Sequence, residues 1–233
     1  MILAIHQPNY LPWLGYFYKI ACADVFVFLD DVQYSKGSYT NRVQILSPGG
    51  AKWLTVPVKA SLGDTIRAVK FGRPDWTTVH LDTLAGMYRT APAFRSVWAD
   101  VKEMMLAALA DDMAAVNIQL VTALAERFRF GCRFVRSSDL SLCATSDERL
   151  VEISLKLAPG GSYLSGSGAA KYQDPEKFRA AGLGFEYSRF VHPRYAQSAQ
   201  PGLTGFVPGL SVLDAVFHLG WERTAELIQD GGA

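Results

Sequence analysis

Two short apolar runs open the chain, and a segment of helical spacing separates them. ILAI at residues 2–5 and the apolar part of DVFVFLDD predict buried strands, whereas GYFYKIACA places Phe17, Ile20 and Ala21 on one side of a helix. Strand, helix and strand within about thirty residues are typical of a βαβ unit, whose two strands lie parallel. The pattern therefore predicts an α/β fold with a parallel-sheet core that begins with a βαβ unit.

Further elements alternate along the rest of the chain. Strand-like patterns recur in five segments: KWLTVPV, IRAVKF, CRFVRSSDL, GSYLSGSGAAKY and FEYSRF. Pro57 indicates an edge strand or a strand end in the first of them. Helical spacing over about 76–130 predicts an inserted helical region, and ERLVEISLKL and SVLDAVFHLGWERTAELIQ predict later helices, the last broken at Gly220. No repeat or linker-like stretch interrupts the chain, so we expect one domain over residues 1–233.

Composition narrows the class of protein. The 233 residues are 49% hydrophobic and 19% charged, and the 23 basic and 22 acidic side chains nearly cancel, so no global field favours a nucleic-acid or membrane-surface partner. Cys22, Cys132 and Cys143 are odd in number and lack C-x-x-C spacing, which argues against a disulfide framework or a zinc site. His6 and Pro8 interrupt the first apolar run, so it does not resemble a signal peptide. We expect a cytoplasmic protein without a membrane span, and the pattern identifies no cofactor or metal.

Polar side chains follow the first two predicted strands. The loop after the first strand carries four of them: His6, Gln7, Asn9 and Tyr10. The second strand ends in Asp30 and Asp31. Ligands of open parallel sheets bind outside the carboxyl ends of the strands, so both groups are expected to face one crevice. Alternatively, Pro8 and Pro12 only shape a tight connection, with Gln7 and Asn9 capping the next helix.

A second polar group lies in YSKGSYTNRVQI. Lys36, Asn41 and Arg42 place two cations and an amide close in sequence to the paired aspartates. The planar fork of Arg42 suits a carboxylate or a phosphate, which would let this segment bind an anionic substrate. The alternative is that Arg42 pairs with Asp31 and only holds the loop.

Two later segments carry further candidates. In YLSGSGAAKY, the run Ser165-Gly166-Ser167-Gly168 leaves backbone amides accessible, as anion-binding loops require, although a plain strand-to-helix turn explains the glycines as well. Near the carboxyl terminus, Tyr195 and Gln197 stand between apolar segments. Ser211 and Asp214 then predict a helix N-cap and its complementing acid, and His218 is expected in the core.

Taken in order, these segments resemble the WbqC-like family. The resemblance is carried by HQPNYLPWLGYFYKIACADVFVFLDDVQYSKGSYTNRVQI, KWLTVPV, YLSGSGAAKY and SVLDAVFHLG, and it covers essentially the whole chain. Members of this bacterial family occur in gene clusters for O-antigen, other surface polysaccharides or specialised metabolites. By resemblance, the functional candidates are His6, Gln7, Asn9, Tyr10, Asp31, Asn41, Arg42, Ser165, Gly166, Tyr195 and Gln197.

That context implies a transferase that puts an acyl or aminoacyl group, with glycyl as one option, on an amino sugar. His6 would be the general base, Asp31 would orient it, and Asn9 would stabilise the oxyanion. The expected substrate-binding residues are Gln7, Tyr10, Lys36, Asn41, Arg42, Ser165, Gly166, Tyr195 and Gln197. The expected partners are a small-molecule substrate, either a nucleotide-linked amino sugar or a carrier-bound acyl donor, and, as a further option, an acyl carrier protein. The motif G-x-S-x-G is absent, so a direct attack on a thioester fits best.

Two other hypotheses stay open. The layout is similar to nucleotidylyltransferases of the HIGH class, but Trp13, Leu14, Gly15 and Tyr16 stand where those enzymes carry H-x-G-H. Both histidines are replaced by aromatic residues, which leaves nucleotide binding as the shared feature. The third hypothesis is a non-catalytic accessory protein that binds a sugar nucleotide or a partner enzyme.

Overall fold

A five-stranded parallel sheet forms the centre of the computed structural model, which describes residues 1–171, 173–197 and 205–231. The strands are β1 (Ile2–His6), β2 (Val25–Phe28), β3 (Arg42–Ser47), β4 (Gly50–Thr55), β5 (Val58–Lys59), β6 (Lys70–Phe71), β7 (Arg133–Arg136), β8 (Ser162–Ser165) and β9 (Gly184–Tyr187). The α-helices are α1 (Leu14–Cys22), α2 (Trp76–Tyr88), α3 (Phe94–Ala107), α4 (Met113–Arg127), α5 (Ser146–Leu157), α6 (Pro175–Ala180), α7 (Val212–Leu219) and α8 (Trp221–Asp230).

The strand order of the sheet is β7-β2-β1-β8-β9, with every neighbouring pair parallel. Ala4 lies between Phe26 of β2 and Leu164 of β8. Numbered by their appearance in the sheet, the strands run 3-2-1-4-5, as in the dinucleotide-binding doubly wound fold. The predicted α/β fold and its opening β1-α1-β2 unit are confirmed. The chain leaves β1 toward β2 and later returns on the other side as β8, so the topological switch point lies between β1 and β8.

The side chains of each central strand enter two hydrophobic cores in turn, because successive side chains point to opposite faces of the sheet. Ala4 and Phe26 pack on the face covered by α1, the inserted helices and α7 and α8. Leu3 and Val25 pack on the face covered by α5 and α6. The central strands are thus buried on both faces, which accounts for their continuous apolar runs.

The region between β2 and β7 is inserted beside the sheet. It contains the antiparallel pairs β3–β4 and β5–β6 and the helices α2 to α4, so the predicted helical region is confirmed. KWLTVPV forms a strand that ends before Pro57, as expected. The strand expected over IRAVKF is largely wrong, because residues 66–68 form a 3-10 helix. The Ile66 and Arg67 amides bond to the carbonyls of Val32 and Asp30 instead of to a ladder partner.

The predicted N-cap of α7 and the predicted break at Gly220 are confirmed. Ser211 caps α7 by accepting a hydrogen bond from the Leu213 amide at 3.3 Å. Gly220 breaks the helical run with φ of 80°, a conformation that favours glycine. Tyr172 and residues 198–204, which belong to segments discussed above, lie outside the described residues. Within the described ranges, no helix has the length and apolar character needed to cross a membrane.

Candidate functional site

A cleft of about 530 Å³ opens at the carboxyl ends of β1 and β8. These ends flank the topological switch point, where open α/β sheets bind their ligands. The walls come from β1 and its following loop, α1, the loop after β8 and the segment after β9. The lining residues include His6, Gln7, Trp13, Gly15, Tyr16, Lys19, Tyr163, Ser165, Gly166, Ser167, Gly168, Gln173, Ser188 and Phe190. Four of the predicted site residues therefore meet here: His6, Gln7, Ser165 and Gly166.

Lys19 is the charged side chain of this cleft. Its residue is only 4% exposed, and its Nζ donates a hydrogen bond to the Ile5 carbonyl at 3.1 Å. None of the described lining residues is an aspartate or a glutamate, so no carboxylate of the lining compensates the ammonium charge. Burial consequently lowers the pKa of Lys19 from 10.5 to about 7. Near neutral pH, a large fraction of this lysine is an uncharged amine.

His6 lies next to Lys19 in the cleft. Its Nδ1 is 3.1 Å from the Gln7 carbonyl oxygen, a contact that requires a proton on Nδ1 and leaves Nε2 as the acceptor. The ring lies 4.7 Å from the Tyr16 ring, centroid to centroid. Burial, and secondarily the charge of Lys19, lowers the pKa of His6 to about 3. This pKa lies far below the neutral range assumed for His6 from the sequence, and the neutral ring is a weak proton acceptor.

The loop after β8 forms the opposite wall. The Ser165 hydroxyl donates to the Gln173 side-chain carbonyl, and the Gln173 amide donates to the Tyr163 hydroxyl at 3.2 Å. The acceptor of the Ser165 hydroxyl is thus an amide oxygen and not a base. An amide oxygen does not activate a serine as a nucleophile. A Cβ at Gly166 or Gly168 would meet open space, so the backbone here is accessible from the cleft.

Asp30 and Asp31 end β2 beside the cleft but do not line it. Asp30 is fully buried and pairs with Arg136 at 2.8 Å, while Ser138 donates from its amide and its hydroxyl. Asp31 pairs with Arg149 at 2.5 Å and accepts from the Ser137 hydroxyl. The described hydrogen bonds do not join Asp31 to the His6 ring, contrary to the orienting role predicted for it. The described residues also contain no cluster of His, Cys, Asp or Glu arranged to hold a metal ion.

The Lys36–Arg42 segment also lies apart from the cleft lining. The Arg42 guanidinium covers the Trp53 ring at 4.1 Å, so the alternative in which it pairs with Asp31 is wrong. The Asn41 side chain accepts from the Tyr34 hydroxyl at 2.9 Å and also donates to a backbone carbonyl, which holds the β3–β4 hairpin against its neighbours. Lys36 is exposed to solvent.

Asn9 and Tyr10 turn into the core. The Tyr10 hydroxyl is 2.8 Å from Nδ1 of His80, whose Nε2 lies 3.1 Å from the Thr55 carbonyl oxygen. Burial lowers the pKa of His80 to about 4, so this is a neutral, fully paired histidine. Asn9 is likewise buried and is not part of the lining. The geometry gives these two residues a packing position rather than the substrate contact and oxyanion role expected from the sequence.

Tyr195 and Gln197 reach the site only indirectly. The carboxylate of fully buried Asp214 accepts from Tyr195 at 2.7 Å, from Gln197 at 3.0 Å and from Tyr88 at 2.9 Å. Asp214 lies in the first turn of α7, as predicted, but it forms no capping box, because the Ser211 amide donates to the Gln44 carbonyl and the Asp214 oxygens accept from distant side chains. The anchored segment follows β9, and its earlier residues include Phe190, which lines the cleft.

Sequence reasoning missed Lys19 and Gln173. Lys19 lies three residues after Tyr16, on the same side of α1, and both residues are buried. The available signal was a single lysine within the otherwise apolar segment GYFYKIACA. A lone lysine on a short helix usually extends to solvent, so this pattern alone does not indicate burial.

Comparison with known proteins places the chain in a family. The model of the WbqC-like protein family matches residues 7–226, from the loop after β1 into α8. The chain is similar to a protein of Mycobacterium tuberculosis (strain ATCC 25618 / H37Rv) named "Uncharacterized protein Rv1507c": the two are 32% identical over an alignment of 222 residues, which covers 94% of each chain. The family match includes the loops and helices that form the cleft but not β1 itself, which ends at His6. The chain belongs to the WbqC-like protein family.

Proposed function

We propose that the protein is a transferase that places an acyl or aminoacyl group, such as glycyl, on the amine of a nucleotide-linked amino sugar. The reaction would serve the synthesis of a surface polysaccharide or a specialised metabolite, the context that the family resemblance implies. The observation that carries the proposal is a switch-point cleft that combines accessible backbone amides, an uncharged histidine and a buried amine, without a carboxylate in its described lining.

The dimensions and surfaces of the cleft suit such a ligand. Its volume of about 530 Å³ is within the range of small-molecule sites. Trp13, Tyr16 and Phe190 offer apolar faces for a sugar ring or a base. The open backbone at Gly166 and Gly168 allows close approach of a diphosphate, which a cleft lacking carboxylates does not repel.

Direct transfer from a thioester requires no protein nucleophile. The sugar amine attacks the thioester carbonyl, a C–N bond forms, and the C–S bond breaks to release a thiol. The amine must lose one proton, which finally reaches the leaving sulfur. This scheme agrees with the Ser165 hydroxyl being held by Gln173 rather than by a base. A carrier-bound acyl group and an acyl carrier protein are the donor and the partner that this chemistry favours.

Purified protein with UDP- or dTDP-linked amino sugars and acetyl or glycyl thioesters tests the proposal. We expect the amino-sugar nucleotide to raise the unfolding temperature and mass spectrometry to detect its amide. The same nucleotide sugar with a hydroxyl in place of the amine should bind but gain no acyl group. Absence of both stabilisation and product across the panel would contradict the proposal.

A matched pair of glycine variants locates the site. Gly166→Leu introduces a side chain into open space at the cleft, and Gly131→Leu does the same outside it. We expect Gly166→Leu to weaken nucleotide-sugar binding by about tenfold or more, which is 1.4 kcal/mol, with the ligand-free unfolding temperature matching Gly131→Leu. Equal affinity of the two variants for the nucleotide sugar would show that the ligand binds outside this cleft.

A second candidate is a non-catalytic protein that binds a sugar nucleotide. The 3-2-1-4-5 strand order favours nucleotide binding, but a fold does not fix chemistry. Nucleotidyl transfer of the HIGH type is less favoured, because Trp13 and Tyr16 line the cleft where two histidines would be needed. Stabilisation by sugar nucleotides without any acylated product would select the binding protein over the transferase.

A further inference from the structure

We infer that Lys19 is the proton acceptor of the transfer: its buried amine takes the proton that the attacking sugar amine must lose. The inference rests on the proposed function and gives that function its general base. It also replaces His6, the residue that sequence reasoning assigned to this role. Lys19 thereby becomes a catalytic residue, in contact with the reacting nitrogen of the substrate.

The position of Lys19 supports this role. It lines the cleft on α1, yet it is 4% exposed, so solvent water competes little for its nitrogen. Its Nζ donates to the Ile5 carbonyl at 3.1 Å, which fixes the end of a long side chain. An uncharged amine has two hydrogens and one lone pair. The carbonyl takes one hydrogen, and the lone pair is left to accept a proton.

The surroundings of Lys19 leave a large fraction of the amine uncharged near neutral pH. The titratable groups around it in the cleft are His6 on β1, Tyr16 on its own helix and Tyr163 on β8, and none of them is a carboxylate. Helix α8 packs against α1, but its charged residues are exposed: Glu222, Arg223, Glu226 and Asp230. The neighbouring carboxylate of Asp31 is occupied by Arg149. Burial therefore dominates and brings the pKa of Lys19 to about 7.

His6 is the weaker candidate for the same step. A general base works best when its pKa is near the operating pH, and the pKa of His6 is about 3. Its Nδ1 proton is committed to the Gln7 carbonyl oxygen. His6 is thus suited to hold the substrate through Nε2, while Lys19 takes the proton.

The step balances in atoms and charge. As the sugar amine attacks the thioester carbonyl, the new C–N bond leaves a positive charge on nitrogen, and a proton passes from that nitrogen to Nζ of Lys19. The C–S bond then breaks, and the Lys19 ammonium returns the proton to the sulfur. The products are the amide and the free thiol, and Lys19 is again an uncharged amine.

Variants of Lys19 test the assignment. Lys19→Met keeps the length and apolar stem but removes the amine, and Lys102→Met is the control, because Lys102 is an exposed lysine of α3 away from the cleft. We expect Lys19→Met to lose about 10²-fold or more in kcat, whereas Lys102→Met keeps the wild-type rate. In Lys19→Ala, added ethylamine should restore turnover in proportion to its concentration, an effect that a purely structural lysine would not give.

The pH dependence provides an independent readout. We expect the wild-type kcat/KM to rise about tenfold per pH unit below 7 and to level off above it. A magnetic resonance titration of the lysine side chains, with Lys19 assigned by its absence from the Lys19→Met spectrum, should show the same midpoint for Lys19.

The outcomes separate this inference from the proposed function. Transfer at the wild-type rate by Lys19→Met, or a Lys19 midpoint near 10, would overturn the role of Lys19 and leave the transferase proposal standing. Absence of transfer by the wild-type protein with every amino-sugar acceptor would overturn both. Loss of kcat in Lys19→Met with amine rescue in Lys19→Ala is the supporting result.

Discussion

Two neighbouring strand ends of the same sheet hold polar residues in opposite ways. At the end of β2, every carboxylate oxygen of Asp30 and Asp31 accepts from an arginine, a serine or an amide. Beside the end of β1, Lys19 of α1 is buried, and within the described part of the chain it has one carbonyl partner and no carboxylate in the cleft lining. The first group is electrostatically complete, and the second is not.

This difference distinguishes buried polar groups that stabilise the fold from a buried polar group that is available for chemistry. A buried charge with all of its partners stabilises one conformation, and removing one partner leaves an uncompensated charge. A buried amine without a counter-charge lowers stability and persists where its chemistry is used. Of the two strand ends, the end of β1 is therefore the one to which we assign the proposed reaction, and the paired carboxylates after β2 support the sheet. Variants at each end should change stability in opposite directions.

The largest expected effect is a gain of stability in Lys19→Met. Since the folded pKa of Lys19 is lowered from 10.5 to about 7, the unfolded chain binds one more proton between these pH values, and the cost is fully present below pH 7. The shift corresponds to roughly 5 kcal/mol at about 1.4 kcal/mol per unit. We expect Lys19→Met to raise the free energy of unfolding at pH 6 by up to this amount, and the gain to vanish as the pH passes 10.5.

Denaturant unfolding of the wild type, Lys19→Met and Lys102→Met at pH 6 and at high pH measures this effect. Lys102→Met should match the wild type at both. A Lys19→Met protein that is less stable than the wild type at pH 6 would show that Lys19 serves the fold, and the contrast between the two strand ends would then fail.

The next effect is a loss of stability in Asp30→Ala. The variant leaves the Arg136 guanidinium and the Ser138 donors without their acceptor at a fully buried position. Breaking a buried pair in this way costs about 3 to 5 kcal/mol. Asp139→Ala removes an exposed acid three residues after the end of β7; it is the control and should change the urea midpoint little. Equal midpoints for the two variants would contradict the structural role of Asp30.

The fold was accessible to sequence reasoning because its signals are local. The apolar runs of β1 and β2 and the spacing of α1 lie within about thirty residues, the size of a single βαβ unit. The switch point is not local, since β1 meets β8 only after the inserted helices. No pattern near Ile2 or Ser162 announces that these residues are partners in the sheet.

The site was less accessible because hydrogen-bond partners come from distant parts of the chain. Asp31 pairs with Arg149, 118 residues away, which no spacing near YSKGSYTNRVQI could indicate. Lys19 posed the opposite difficulty, because the sequence does not reveal whether a long side chain extends to solvent or stays buried. His6 was found from its place after a strand, but its pKa depends on packing that only the folded chain provides.

The smallest expected effect tests whether the segment after β9 belongs with the structural strand end or with the cleft. Tyr195→Phe removes one of the hydrogen bonds to the Asp214 carboxylate, while Tyr88 and Gln197 keep theirs. A hydrogen bond to a charged group contributes about 1.5 to 3 kcal/mol, and we expect a loss of unfolding free energy at the lower end of that range. Because the same segment brings Phe190 to the cleft, binding of an amino-sugar nucleotide should also weaken, by less than about tenfold. Tyr187→Phe is the control, since its hydroxyl makes no hydrogen bond to the described residues, and it should change neither quantity. A stability loss in Tyr195→Phe with unchanged binding would confine the Asp214 network to the fold.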